Sequence, residues 1–350
     1  MRSMKIRWAK ILPVGIALES LALLLCIASL CLGHPSRLTQ EEIDLAFDED
    51  KYLAVQGENE YIKWVDFNVS YEALCKAYDL DVSSQSEECR LNWIELLAYA
   101  AAKTGGNFDK KALGFLDEAA ECFQNGATVE KLKEELKYYG YYLESYDAVL
   151  GGMVGEYEIE NEQGTWERVY GLKAFSPIAK GFEYSDYDDF GSSRSYGYSR
   201  PHLGHDMMGL IGTPIIAIES GYVEAIGWNR YGGWRLGIRS HDGKRYYYYA
   251  HLRQDRPYAE GLKEGDEVTA GDVIGYMGHT GYSNTENVNN IKEVHLHWGL
   301  ELIFDESQKD SDNEIWVDCY ALTRFLSKNR SEVQRNDETK EWTRKYKMRE

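Results

Sequence analysis

The sequence predicts an α+β multidomain protein: a membrane-spanning helix, then a small all-α domain, then a carboxyl-terminal domain that is mainly antiparallel β. Three observations predict this. An apolar run from Ile11 to Leu32 follows a basic flank. Between about residues 55 and 150, apolar residues recur at spacings of three and four. Beyond about residue 165, short segments rich in Ile, Val, Tyr and Trp are punctuated by glycine. A chain of 350 residues has room for two ordinary domains and an anchor. Its 39 basic and 58 acidic side chains leave a net charge of −19, which excludes nucleic acid as a partner, because that role needs a positive surface to replace phosphate counterions.

Residues 1–35 read as a cytoplasmic basic tip and a transmembrane anchor. Arg2, Lys5, Arg7 and Lys10 precede the apolar run, which as a helix is about 33 Å long and matches a bilayer core of about 30 Å. The basic flank orients the amino terminus inward, and the acidic flank from Glu41 to Asp50 lies outside with everything beyond it. The run is longer than a signal-peptide core and no A-x-A site follows, so the anchor is read as retained; cleavage would instead give a secreted chain. Glu19 inside the span is costly unless another helix pairs with it. Cys26 and Cys31 lack the small residues of a lipidation site.

Residues 36–54 form a polar stalk and residues 55–150 a helical domain, with Asp109 and Thr128 as N-caps and glycines closing three of its four segments. A linker, 151–174, leads to a β domain over 175–326, where Asp242-Gly243 marks a hairpin. The charged tail, 327–350, has no apolar stripe and reads as a frayed helix or disordered. Cys75, Cys89, Cys122 and Cys319 are scattered without a C-x-x-C pair, which argues against a cysteine zinc site and leaves free thiols as the plain reading.

The β domain gathers the histidines that carry chemistry: "RPHLGHD" (200–206), "YAHL" (249–252) and "HLHW" (295–298). Strand side chains repeat every second residue, so His295 and His297 project from one face and serve one site. A catalytic zinc takes three nitrogen or oxygen ligands and keeps a fourth position for water. His202, Asp206 and one histidine of the pair supply that set, leaving His251 and the other as acid/base groups. His34, His205, His241 and His279 have ordinary readings, and His205 should point away from its neighbour Asp206 in an extended segment.

The stretch from about Phe175 to Phe304 resembles the lysostaphin/LytM family of zinc endopeptidases, which cut peptide bonds in peptidoglycan and have the duplicated hybrid motif fold. The family's H-x-G-x-D stands here as His202, Gly204 and Asp206, followed by "GTPIIAIESGYVEAIGW", by "YAHL", by "LKEGDEVTAGDVIGYMGHTG" and by the closing H-x-H. The resemblance implies zinc held by His202, Asp206 and His297, with His251 and His295 catalytic. It departs in "SNTENVNNIKEV" (283–294), where family members carry a short link. No H-E-x-x-H helix is present, so a histidine must take the proton; which of His251 and His295 is base and which is oxyanion donor stays open.

The expected activity is therefore that of a membrane-anchored, extracytoplasmic peptidoglycan hydrolase. The rival is an inactive module of the same fold that binds peptidoglycan, activates another hydrolase or acts as an envelope scaffold. Such modules lose metal or catalytic residues, and this chain keeps all five. A protein partner would dock through the helical domain.

Overall fold

The computed structural model describes residues 61–195, 199–309 and 311–350. The expected anchor, the stalk and His34 lie outside them. The chain divides into Met1–Thr39 and Gln40–Glu350, and every described residue belongs to the second unit. Among the described residues no helix is long and apolar enough to cross a membrane.

Helices form where small and aliphatic residues can bury a stripe. They are α1 (Tyr71–Ser83), α2 (Trp93–Thr104), α3 (Ala112–Gln124), α4 (Val129–Glu135) and α5 (Tyr139–Leu150). Asn92 accepts from the Ile94 amide at 2.9 Å to start α2, which Gly105 ends in the left-handed region. Of the two sequence-predicted caps, Thr128 accepts from Lys131 and caps α4, whereas Asp109 accepts from Lys111 in the turn before α3, whose N-cap position is Lys111. Helix α2 is central, packed against α1, α3 and α5, and Leu96, Leu97, Leu116 and Tyr146 are fully buried there.

Residues 151–174, expected as a linker, instead pair as β1 (Val154–Glu160) and β2 (Trp166–Leu172). The tail is likewise ordered rather than frayed or disordered. It forms a hairpin, β15 (Val333–Arg335) with β16 (Trp342–Arg344), and an edge strand, β17 (Met348–Arg349), on β1. Trp342 stands edge-on to Phe182 at 5.2 Å, and Met348 is buried with Phe175, Ile216 and Tyr276. These anchors are too widely spaced to make a local apolar stripe, and their partners are distant in sequence, Phe175 lying 173 residues before Met348; periodicity does not register such contacts.

Between these come β3 (Ser185–Asp186), β4 (Ser193–Ser195), β5 (Ser199–Pro201), β6 (His205–Met208), β7 (Pro214–Ile216), β8 (Gly221–Asn229), β9 (Gly233–Ser240), β10 (Arg245–Ala250), β11 (Glu267–Val268), β12 (Val273–Tyr276), β13 (His295–Leu302), β14 (Ile315–Val317) and a last helix, α6 (Tyr320–Leu326). The main antiparallel sheet runs β11-β8-β9-β10-β13-β6-β3, and β14 also pairs with β13. On β13, Leu296, Trp298, Leu300 and Leu302 face the core and are at most 0% exposed, so the alternate residues His295 and His297 face outward together.

The helical region is fastened to this sheet. The buried guanidinium of Arg245 binds Glu219 at 2.7 and 3.1 Å and Asp242 at 2.8 Å, and donates at 2.9 Å to the Ala148 carbonyl at the end of α5.

Candidate metal centre and active site

Strand register brings the predicted residues together. His297 pairs across β6 with Asp206 and across β10 with Ala250, so the three positions share one face. His202 enters just before β6, held by its amide to the Ser192 carbonyl at 2.9 Å. Gly204 explains the glycine of H-x-G-x-D. Its φ is +154, and a Cβ there would lie 2.6 Å from the His297 ring and 2.8 Å from the Trp298 carbonyl. Any side chain would push His297 out of place.

His202 Nε2, Asp206 Oδ1 and His297 Nδ1 form a triangle with edges of 3.1, 3.0 and 2.9 Å. Two ligands of a tetrahedral zinc, each about 2.05 Å from the ion, are about 3.3 Å apart, so a slight opening of this triangle would admit the metal. The donor chemistry fits as well. Burial opposes the Asp206 charge, but hydrogen bonds from His202 and His297 outweigh it and hold the carboxyl well below the usual carboxylate range. Burial also lowers His297, more than Asp206 restores, the direction a neutral ligand needs, whereas at His202 the Asp206 carboxylate outweighs burial and raises the pKa until a metal displaces the proton.

His251 and His295 stand beside the triangle, their rings 4.7 Å apart, with His251 5.9 Å from His297. His251 lies just beyond β10 at φ 62, a left-handed conformation rarely taken by a bulky residue. Hydrogen bonds of its amide to Gly232 and its carbonyl from Gly278 fix it there. Its Nδ1 is 3.0 Å from the Thr280 carbonyl, and His295 Nδ1 is 2.9 Å from the Glu293 carbonyl. A carbonyl only accepts, so both rings carry their proton on Nδ1 and, when neutral, turn a bare Nε2 to the site. Burial first, then the charges of His295 and His297, hold His251 well below its ordinary pKa.

The remaining histidines behave as the sequence suggests. His205 is buried behind β6, 2.9 Å from Asp186 and against Tyr320. His241 is exposed, and His279 donates from Nδ1 to the Ile291 carbonyl at 2.7 Å. All four described cysteines are free, and only Cys319 is buried.

Sequence reasoning missed an outer layer. Asp189 Oδ1 lies 3.1 Å from His202 Nδ1, an ion-pair contact without the alignment of a hydrogen bond, and Arg194 Nη2 lies 3.4 Å from the same nitrogen. Arg194 contacts Asp189 and reaches Asp206 Oδ2 at 3.2 Å. "DDFGSSR" carries no spacing that would single these residues out.

The fold and this arrangement of ligands and imidazoles resemble those of metallopeptidases of the lysostaphin/LytM type. Comparison with known proteins agrees. Residues 200–311 match Peptidase family M23. The chain is 38% identical over 124 residues to the L-Ala–D-Glu endopeptidase of Bacillus subtilis (strain 168), a match over 35% of this chain and 36% of that protein. It is 39% identical over 89 residues to lysostaphin of Staphylococcus simulans, over 25% of this chain and 17% of that protein. A crystal structure of a LytM protein from Ruminococcus gnavus, assigned provisionally as a glycyl-glycine endopeptidase, superposes with a TM-score of 0.51 at 26% identity, over 77% of this chain and 91% of that one. The chain thus spans about a third of the Bacillus relative and less than a fifth of lysostaphin. Its carboxyl-terminal region is a Peptidase family M23 domain of the lysostaphin/LytM type.

Proposed function

We propose that this chain is a zinc endopeptidase that hydrolyses peptide bonds of peptidoglycan, held at the outer face of the cell membrane by residues 11–32. The observation that carries the reading is the convergence of all five groups: three ligand atoms within 4.8 Å of one another and two imidazoles beside them. An inactive module of the same fold has no need to keep that whole set.

His202, Asp206 and His297 would hold the metal. A zinc ion there supplies Lewis acidity and lowers the pKa of water toward about 7. Neutral, buried His251 with its bare Nε2 is suited to accept a proton as general base. His295, whose Nε2 lies 3.8 Å from Asp206 Oδ1, is left as the donor to the developing oxyanion and then to the leaving amine.

The relatives are named for different bonds, L-Ala–D-Glu in one case and glycyl-glycine in another. Incubating the zinc-loaded chain with peptidoglycans of different cross-bridge type, and weighing the released fragments by mass spectrometry, tests activity and bond together. Release of new amino termini is expected; intact peptidoglycan in every case would rule the reading out. The anchor rests on the basic flank before Ile11 and the acidic flank after Arg37. Protease added to intact protoplasts should remove the peptidase domain, and full protection would refute the orientation.

A further inference from the structure

The sheet face that carries His297 continues past the metal ligands. Two residues back along β10 from Ala250, Tyr248 faces Gly299 on one side and Gly237 on the other; Arg235 follows two residues from Gly237, on the same face of β9. Tyr248 stands edge-on to His297, with ring centroids 6.0 Å apart. Arg235 therefore shares the sheet face of the metal ligands, beyond Tyr248, and its Nη1 is buried without a hydrogen-bond partner.

Arg200 approaches the site from the β4–β5 hairpin. It donates to the Tyr282 hydroxyl at 3.0 Å and lies over the rings of Tyr231 and Tyr282, and Tyr282 is 6.0 Å from His251. In the β4–β5 hairpin its direct partner is Arg194, so two like charges face each other, a pairing that disfavours the hairpin. Arg194 is neutralised by Asp189 and Asp206, whereas among the described residues no carboxylate pairs with Arg200 or Arg235. Burial holds the Tyr248 hydroxyl above its ordinary pKa, and Asn229 and then the charges of Arg235 and Arg200 act against that rise.

Three other arginines of the β domain are paired differently. Arg239, Arg245 and Arg253 each hold a glutamate, as expected where acidic side chains outnumber basic ones. Two arginines without such a partner, one on the sheet face of His297 and one beside Tyr282 and His251, leave room for an anion that arrives with the substrate. Guanidinium forks match carboxylates in geometry and charge.

We propose that Arg235 and Arg200 form a carboxylate-binding subsite beside the reacting bond, so that the chain prefers a peptide with a free carboxylate next to the bond it cuts over a neutral glycyl peptide. This rests on the endopeptidase reading and names the substrate chemistry of the same site.

The test uses the zinc-loaded full chain and two pairs of otherwise identical peptides. In one pair a residue flanking the bond carries a side-chain carboxylate or its carboxamide; in the other the flanking residue ends the peptide as a free acid or an amide. In at least one pair kcat/KM should favour the carboxylate by about tenfold to a hundredfold, chiefly through KM, and that pair identifies the source of the carboxylate. Arg235→Gln and Arg200→Gln should each bring the ratio toward one. Equal cutting within both pairs overturns the proposal, as does a ratio that survives in both variants. If a variant fails to fold, the ratios of the unaltered chain still decide. If no peptide is cut, the endopeptidase reading fails separately and calorimetry decides the subsite: at least tenfold tighter binding of a carboxylate peptide than its amide supports it, and equal binding overturns it.

Discussion

His295 and His297 leave the same strand two residues apart, yet their surroundings separate them. His297 turns Nδ1 to Asp206 at 2.9 Å inside the ligand triangle; His295 commits Nδ1 to a backbone carbonyl and keeps Nε2 3.8 Å from Asp206. His297→Ala should therefore lose zinc and activity together, whereas His295→Ala should keep near-stoichiometric zinc and lose on the order of 10²-fold or more in turnover. Metal analysis of the two purified variants decides it, and equal zinc loss in both would reverse the roles. All five residues were legible in the sequence because histidine is scarce and strand alternation sets which side chains share a face. Asp189, Arg194, Arg200 and Arg235 were not, because acidic and basic residues are common on any surface and only the folded register brings these four to the site.

At the scale of elements, the insertion after Tyr282 is a built wall rather than slack chain. Asn287, at φ 62, accepts from the Trp234 indole at 2.8 Å and the Asp255 amide at 2.9 Å, while its own amide donates to Asp255 Oδ1. Asn289 donates to Gln254, Asn290 to the Tyr282 carbonyl, and the Ile291 amide to the His279 carbonyl. Polar loops so fixed beside a catalytic strand usually shape binding. Shortening Asn284–Lys292 should change which peptidoglycan is cut while zinc stays bound, and fragment profiles with metal analysis would show it; an unchanged profile would make the loop a bystander. The sequence located this insertion but not its anchors, which are single asparagine contacts. The β-rich tail was misread for a related reason: Val333, Trp342 and Met348 find their partners only in the assembled fold.

Across the whole described molecule, the helical region and the sheet are held as one body by polar groups as well as apolar packing. Arg245 is 2% exposed and joins Glu219 and Asp242 of the sheet region to the α5 carbonyl of Ala148, while Tyr247 donates to Glu219 at 2.7 Å and Lys244 reaches Asp147 at 2.7 Å. Asp81 adds a second tie, accepting from the Trp93 amide at 2.9 Å and from Tyr170 on β2 at 2.8 Å. The sequence reading drew a domain boundary with a linker here because the periodicity changes from 3.6 to 2; a change of period marks a change of element, not an absence of contact. Removing the Arg245 side chain leaves Glu219 as a buried charge without its main partner and uncovers the end of α5, which typically costs about 3 to 5 kcal/mol. Arg245→Ala should lose stability of that order without losing zinc at neutral pH, because the triangle lies on other parts of the sheet. Urea unfolding of the full chain, followed by circular dichroism for the helices and by tryptophan fluorescence, should show one coincident transition before the substitution. After it, the midpoint should fall or the helical signal should separate from the rest, and an unchanged midpoint would mean that apolar packing alone holds the two regions together.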